Sequence, residues 1–233
     1  MVHLLKRLKR FGTGNQPMAY RRTENVTRRL AARHTAIVAA ARDVASEGGM
    51  AAVQIAPVAQ RAGIAAGTVY RYFPGKTDLV AALIAEISER EIAAMRRAAA
   101  AAPGPLSALS AAIMTFAARA LRQRRLAYAA IAEPVDAELD AARLTFRRAL
   151  TAEFAQRIAA AVAAKHVPEQ EPPLAAAALT GLVVEGLIGP LAPDAIGRER
   201  AMVQSLALLA LRAFGVADAR ARGLVVQTVV GDQ

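Results

Sequence analysis

The chain has no cysteine in 233 residues, which excludes disulfides and thiolate metal sites. It has no tryptophan, and aromatic residues supply only 4% of it. Much of its 55% hydrophobic content is alanine. That balance favours helices packed at close range over a sheet, which draws on aromatic and β-branched residues. Histidine is scarce too: His3, His34 and His166 lie far apart with no acidic cluster beside them, so no metal site is expected. Gly12-Thr13-Gly14 lacks the strand and helix that make a phosphate loop. Glu133, Asp136, Glu138 and Asp140 read as a loop and a helix N-terminus, where acids are favoured. An enzyme is therefore not expected, nor a cofactor. The longest uncharged run, Ala98 to Ala118, is broken by Pro103-Gly104-Pro105 and reads as two helix ends, not a membrane span. Leu4, Leu5 and Leu8 are too few for the apolar core of a signal peptide.

Acids are also in deficit. Nineteen Asp and Glu face 30 Lys and Arg, a net charge of +11. Such a surface suits a polyanion. Nucleic acid and an anionic membrane both qualify, so charge alone does not choose between them.

What is present centres on residues 54–79, QIAPVAQRAGIAAGTVYRYFPGKTDL. The pattern predicts a short helix over Ile55–Arg61, a break at Ala62-Gly63-Ile64, and a second short helix over Ala65–Phe73 stopped by Pro74-Gly75. Helices shorter than about 12 residues are marginal alone, so these two must pack together and against something longer. Val58, Ile64 and Val69 supply a small shared core, and Ala59 permits a close crossing. Gly63, four residues on, provides the positive φ of a tight interhelical turn. This is the spacing of a helix-turn-helix, whose second helix enters the DNA major groove. An ordinary helix hairpin has the same spacing. The hydroxyls of Thr68, Tyr70 and Tyr72 and the ammonium of Lys76 favour DNA, because they suit phosphate oxygens and base edges.

The run AGIAAGTVYRYFPGKTDL resembles the signature of the TetR family of bacterial transcription regulators, over roughly residues 28–90. The resemblance implies an all-α protein with an N-terminal three-helix DNA-binding domain and a C-terminal helical ligand-binding and dimerisation domain. It places DNA contacts at Gln54, Thr68, Tyr70, Tyr72 and Lys76, with Thr68 and Tyr70 toward base edges and Tyr72 and Lys76 toward phosphate. Ala65 stands where a serine cap is common, and Ala56 and Ala66 stand where other members carry polar groups. An alanine touches a thymine methyl but donates no hydrogen bond, so shape readout and the arginines should contribute more.

The rest of the chain is read around that motif. Residues 1–27 form a basic arm carrying Lys6, Arg7, Lys9, Arg10, Arg21 and Arg22, with Met18 an alternative start. A helix is expected from Thr27 to Glu47, with Leu30, Ile37, Val38, Ala41, Val44 and Ala45 near the 3.6-residue period and Gly48-Gly49 ending it. Arg28, Arg29 and Arg33 in its first turns oppose the helix dipole, and DNA phosphates are the expected reward. A connector helix from Lys76 to about Ala101 completes a DNA-binding domain over 28–102. Residues 103–222 are assigned to the second domain, with helices near 106–122, 124–132, 137–165, 173–190 and 197–214. A tail, 223–233, contains a β-prone run from Leu224 to Val230.

The last pair of long helices is rich in Leu, Val, Ala and Gly. An all-round apolar helix is buried on every side, so a partner subunit is expected to cover Leu182, Leu206, Leu209 and Phe214, as the last two helices do in the resembled family. Met114, Phe116, Tyr128, Phe146 and Leu150 lie where they would surround a cavity for a small apolar or aromatic effector, with Glu185 as a polar contact. The expected protein is a cytoplasmic, nucleoid-associated bacterial homodimer that binds an inverted-repeat double-stranded DNA operator and is released by its effector, without a membrane. The alternatives are a non-inducible architectural DNA-binding protein and a helical membrane-surface protein.

Overall fold

A computed structural model describes residues 18–134, 137–191 and 197–228. Among these residues there are ten α-helices and one 3₁₀ turn, with no strand. The helices are α1 (Met18–Gly48), α2 (Ile55–Arg61), α3 (Ala66–Tyr70), α4 (Lys76–Ala100), α5 (Pro105–Arg122), α6 (Arg124–Ile131), α7 (Ala137–Ala163), α8 (Pro172–Leu191), α9 (Glu199–Ala213) and α10 (Asp218–Gln227). The described residues divide into two units, one through Ala36 and one from Ile37 onward.

In the first unit the helix begins at Met18, nine residues before the expected start at Thr27. The stretch through Arg21 and Arg22 is therefore helical, while Lys6, Arg7, Lys9 and Arg10 lie outside the described residues. Residues 24–36 are exposed throughout, and Leu30 is among them. The apolar stripe of α1 thus starts at Ile37, not at Leu30.

In the second unit Ile37, Ala41 and Ala45 are fully buried, with Val38 and Val44 beside them. α4 opens with a cap: the Gly75 N–H donates to the Asp78 carboxylate at 3.0 Å. Its inward stripe of Leu79, Leu83, Ile87 and Met95 is buried as the spacing predicts. α5 is the enclosed helix of the body. Leu106, Leu109, Ile113, Phe116 and Leu121 are buried, along with Ser110 and Thr115, and α4, α7, α8 and α9 all pack around it.

Charged groups pin the long helices to each other. Arg119 on α5 is bonded to Glu91 on α4 through two contacts, 2.7 and 2.9 Å. That bond raises the Arg119 pKa further, against the desolvation that lowers it. Glu153 on α7 is fully buried and accepts from Arg96 on α4 at 2.7 Å and from Arg157 at 2.6 and 2.9 Å.

Length and composition alone would let α8 cross a membrane, with mean hydropathy 1.8. Its Leu179, Val183, Val184 and Leu187 are instead buried, packed with α5, α6, α7 and α9. The tail departs from expectation as well. Leu224–Gln227 belong to α10, where Ala221 and Val225 are buried. Val225 follows its packing site over its β propensity, while Val226 is exposed.

Candidate nucleic-acid interface and effector cavity

The helix-turn-helix is built as the spacing requires. Val58 and Val69 are fully buried, Ala59 nearly so, and Ile64 packs against them partly covered. Gly63 has φ +64°, and the chain reverses there with the Ile64 N–H donating to the Ala59 carbonyl at 3.0 Å. Pro57 falls in the first turn of α2, where a missing N–H costs nothing. α3 is shorter than predicted: Ala65 is its cap residue and Arg71 follows its end. No side chain caps it, because alanine has none to offer.

That leaves one outward face. Ala65, Ala66, Gly67, Tyr70 and Arg71 are exposed, Tyr70 at 54%. Thr68 is half-buried, and Tyr72 is half-buried against the core. Lys76 is exposed at the first position of α4. Gln54 is exposed at the start of α2, where its amide nitrogen donates to the Ala51 carbonyl at 3.0 Å. Nothing would meet a Cβ at Gly67, so a groove edge can approach the backbone there. Arg71 is not among the contacts expected from the hydroxyl-bearing residues; its place between Tyr70 and Tyr72 is the signal that marks it. The head is braced from behind by Arg61, whose guanidinium binds the Glu47 carboxylate at 2.6 and 2.9 Å. That pairing holds Glu47 below its ordinary pKa. In the first unit, Arg28 and Arg29 are exposed.

A narrow cavity of ≈ 30 Å³ lies between α4, α5, α6 and α7, walled by Ile87, Phe116, Leu126, Ala127, Ile131 and Phe146, with the Glu91–Arg119 pair at its edge. A second, of ≈ 10 Å³, shares Phe116, Ala130, Ile131 and Phe146 with it and adds Leu150, Val184 and Arg143. The rings of Phe116 and Phe146 meet edge to face, 6.4 Å apart. Arg143 donates to the Ala129 carbonyl at 2.7 Å, while its Nε is buried without a partner. Burial lowers its pKa, with Asp140 and Glu133 opposing that.

Phe116, Phe146 and Leu150 are thus brought together. Met114 is buried elsewhere on α5, with Ser110 Oγ 3.7 Å from its sulfur, and Tyr128 is half-buried against the core. Glu185 lies toward the surface: its side chain is 65% exposed and 3.8 Å from Arg147, a residue that also lines the second cavity. A carboxylate interrupting an apolar helix signals a break in burial, and here the break is the surface. Arg143 and Arg147 are the charged residues lining the second cavity, as Glu91 and Arg119 are for the first.

The outer face of α8 and α9 is apolar and small. Leu174, Ala177, Ala178, Gly181, Ala201 and Leu209 are exposed, with Leu182 and Leu206 half-covered. Phe214 is buried within the chain at 9% exposure. The buried residues of α9, Val203, Ala207, Ala210 and Leu211, form one side, and the remainder is the surface expected to meet a partner subunit.

Comparison with known proteins adds to this geometry. Residues 37–83 match the family described as bacterial regulatory proteins, tetR family. The HTH-type transcriptional repressor KstR of Rhodococcus jostii (strain RHA1) is 51% identical over 47 residues, 20% of this chain and 22% of that protein. The matched stretch therefore spans about a fifth of that relative's length. Among solved structures, RolR in complex with resorcinol superposes with a TM-score of 0.69 at 19% identity, covering 89% of this chain and 100% of that one. FadR from Bacillus subtilis in complex with stearoyl-CoA gives 0.67 at 22% identity, covering 78% and 99%. Likeness at that identity carries the fold.

Proposed function

We propose that this chain, which belongs to the TetR family through its helix-turn-helix domain, is a cytoplasmic repressor that binds an inverted-repeat DNA operator as a homodimer and leaves it when a small effector binds. The carrying observation is the exposed face of α3, with Tyr70 and Arg71 outward and Val69 buried behind them. A short helix held this way presents its side chains to a major groove. In this reading Tyr70 and Thr68 meet base edges, and Arg71, Tyr72, Lys76 and Gln54 meet the backbone. Arg28 and Arg29, on an exposed helical stretch with Glu24 as its one described acid, add phosphate contacts.

Two copies follow from the DNA and from the protein. The exposed Leu209 and small residues of α8 and α9 are a closely packing apolar surface, and two-fold symmetry is the commonest closure for such a face. One recognition helix per copy then reads one half-site.

The effector is proposed to lie against Phe116 and Phe146, with an acceptor group meeting the unpartnered Nε of Arg143. An unmet buried donor costs about 1–3 kcal/mol, which a carbonyl, hydroxyl or carboxylate would recover. The narrowness of the cavity favours a single ring over a long acyl chain. RolR with resorcinol and FadR from Bacillus subtilis with stearoyl-CoA share this fold, which supports a small-molecule effector here.

The test is to select DNA from a randomised pool with purified full-length protein, then to titrate small aromatic compounds into the complex formed. Enrichment of a palindromic sequence, lost on adding a compound that raises the melting temperature, is the expected result. Enrichment that no stabilising compound reverses would favour a non-inducible DNA-binding protein.

A further inference from the structure

Two charged residues far from α3 are bonded to the junction that leads into the reading head. Glu133 lies two residues beyond α6, and one of its carboxylate oxygens accepts the backbone N–H of Met50 at 2.7 Å. The other is bonded to the guanidinium of Arg125 on α6. Arg125 in turn donates to the carbonyl of Gly48 at 2.9 Å. Gly48 is the last residue of α1, and Met50 opens the 3₁₀ turn Met50–Ala52 that precedes α2. The pair therefore holds both sides of the α1–α2 connection.

The connection is shaped to receive it. Gly48 contributes one of the four carbonyls that a helix C-terminus leaves without a helical partner, at the negative end of the dipole, where a guanidinium is favoured. Met50 is 3% exposed, so its N–H depends on Glu133. Between them Gly49 has φ +76°, and a Cβ there would collide with the Arg125 guanidinium and the Glu133 carboxylate. From sequence alone, Gly48-Gly49 is expected only as a helix stop and Glu133 only as a loop acid.

The opposite side of α6 walls the effector cavity through Leu126, Ala127, Ala130 and Ile131. At ≈ 30 Å³ the cavity is well short of the roughly 150 Å³ that accommodates benzene, so a ring-sized guest has to move a wall. α4 and α5 are locked by Glu91–Arg119, and α4 and α7 by Glu153. α6 has only 8 residues. It is tethered by Arg124 to the Pro190 carbonyl and Glu199, by Arg143 to the Ala129 carbonyl, and by the Arg125–Glu133 clasp. It is the wall able to yield.

We propose that Arg125 and Glu133 are positioning residues for the DNA-reading head, and that a guest entering the cavity releases DNA by moving α6 and drawing this clasp off Gly48 and Met50. The inference rests on the DNA-binding reading above and adds the route from cavity to head. A guest acts only through its different affinity for the clasped and unclasped states, and the clasp is the structural difference between them. Arg143 joins the same route, since an acceptor that meets its free Nε bears on the guanidinium whose Nη2 holds the α6 carbonyl.

The experiment uses the full-length protein, DNA enriched from a randomised pool by the wild type, and a random duplex at the same salt. Ala127→Leu and Ala130→Val serve as fixed cavity fillers in place of an unidentified effector. Glu133→Ala removes the clasp, and Glu133→Gln keeps an acceptor for the Met50 N–H. Glu133→Ala should weaken binding to the enriched DNA by about tenfold, within the usual range of coupling, and to the random duplex by less than about twofold. Glu133→Gln should recover most of that loss. Ala127→Leu should weaken enriched-DNA binding and speed exchange of the Met50 amide, and adding it to Glu133→Ala should change little more, because neighbours in one path do not act independently. Multiplicative effects in the double variant would overturn the proposal. So would equal losses on both DNAs that merely follow melting temperature. If the filled variants bind no DNA, Met50 exchange measured without DNA decides: unchanged exchange in both contradicts the route. If the wild type enriches no sequence, the DNA-binding reading fails, and the same exchange measurement still judges the clasp on its own.

Discussion

The reading head and the helical body behind it are built on opposite logics. In the head, α2 and α3 have 7 and 5 residues, and nearly every position has one assignable duty: Val58 and Val69 fill, Gly63 turns, Tyr70 faces out. In the body, α5 and α7 have 18 and 27 residues, and alanine occupies buried, half-buried and exposed positions alike. The family match ends at residue 83, and beyond it the likeness to solved structures is one of shape at 19–22% identity. DNA has a fixed groove and a fixed helical repeat, so a head that meets it, as proposed here, has little freedom. A cavity wall and an apolar interface can be met by many side-chain sets of similar volume.

The largest expected effect falls on the body. Leu209→Glu puts a carboxylate on the exposed apolar face of α9, and burying it unpaired against a second copy costs several kcal/mol. Sedimentation should show a folded monomer that has lost operator binding. A folded dimer that still binds DNA would move the interface elsewhere. In the head, Tyr70→Ala should weaken binding to the selected sequence by about 1–3 kcal/mol with an unchanged melting temperature, since a side chain 54% exposed supports little of the core. Equal loss on random DNA would remove Tyr70 from base readout. Lys76→Ala should act more evenly on all sequences and flatten the salt dependence by about one unit of slope, measured by titration at several salt concentrations.

The smallest effect concerns the brace between α1 and α2. Arg61 holds the Glu47 pKa below that of an ordinary carboxylate. Its contribution is therefore present above the unfolded value of about 4.3 and fades as pH falls through the lower folded value. Wild type and Glu47→Gln should differ in melting temperature near neutrality and converge in acid. Curves that run parallel into acid would show that the pair contributes nothing specific.

The two regions also differed in how far sequence reached. The helix-turn-helix was legible almost residue by residue, because Gly63 and the pattern around it are local signals. α4 was legible through its stripe from Leu79 to Met95. α1 was misjudged at its start, since nothing in an arginine-rich stretch marks where a helix begins when no core rewards it. Leu224–Gln227 of the β-prone run are helical because Val225, with Ala221 one turn before it, finds a packing site, which propensity does not register. Phe116, Phe146 and Leu150 were found as cavity residues by their spacing and size. Arg143, Arg125 and Glu133 were not, because their partners are a carbonyl on another helix and a connection 77–83 residues away in the chain. Long-range hydrogen bonds leave no periodic trace.

In the proposed function two copies of α3 read two half-sites on one DNA. Hydroxyl-radical footprinting of the selected fragment tests it directly. The prediction is two dyad-related protections on one face of the duplex, separated by about 34–36 Å or a multiple of it, both weakened by Tyr70→Ala. A single asymmetric protection, or uniform protection along the fragment, would contradict it.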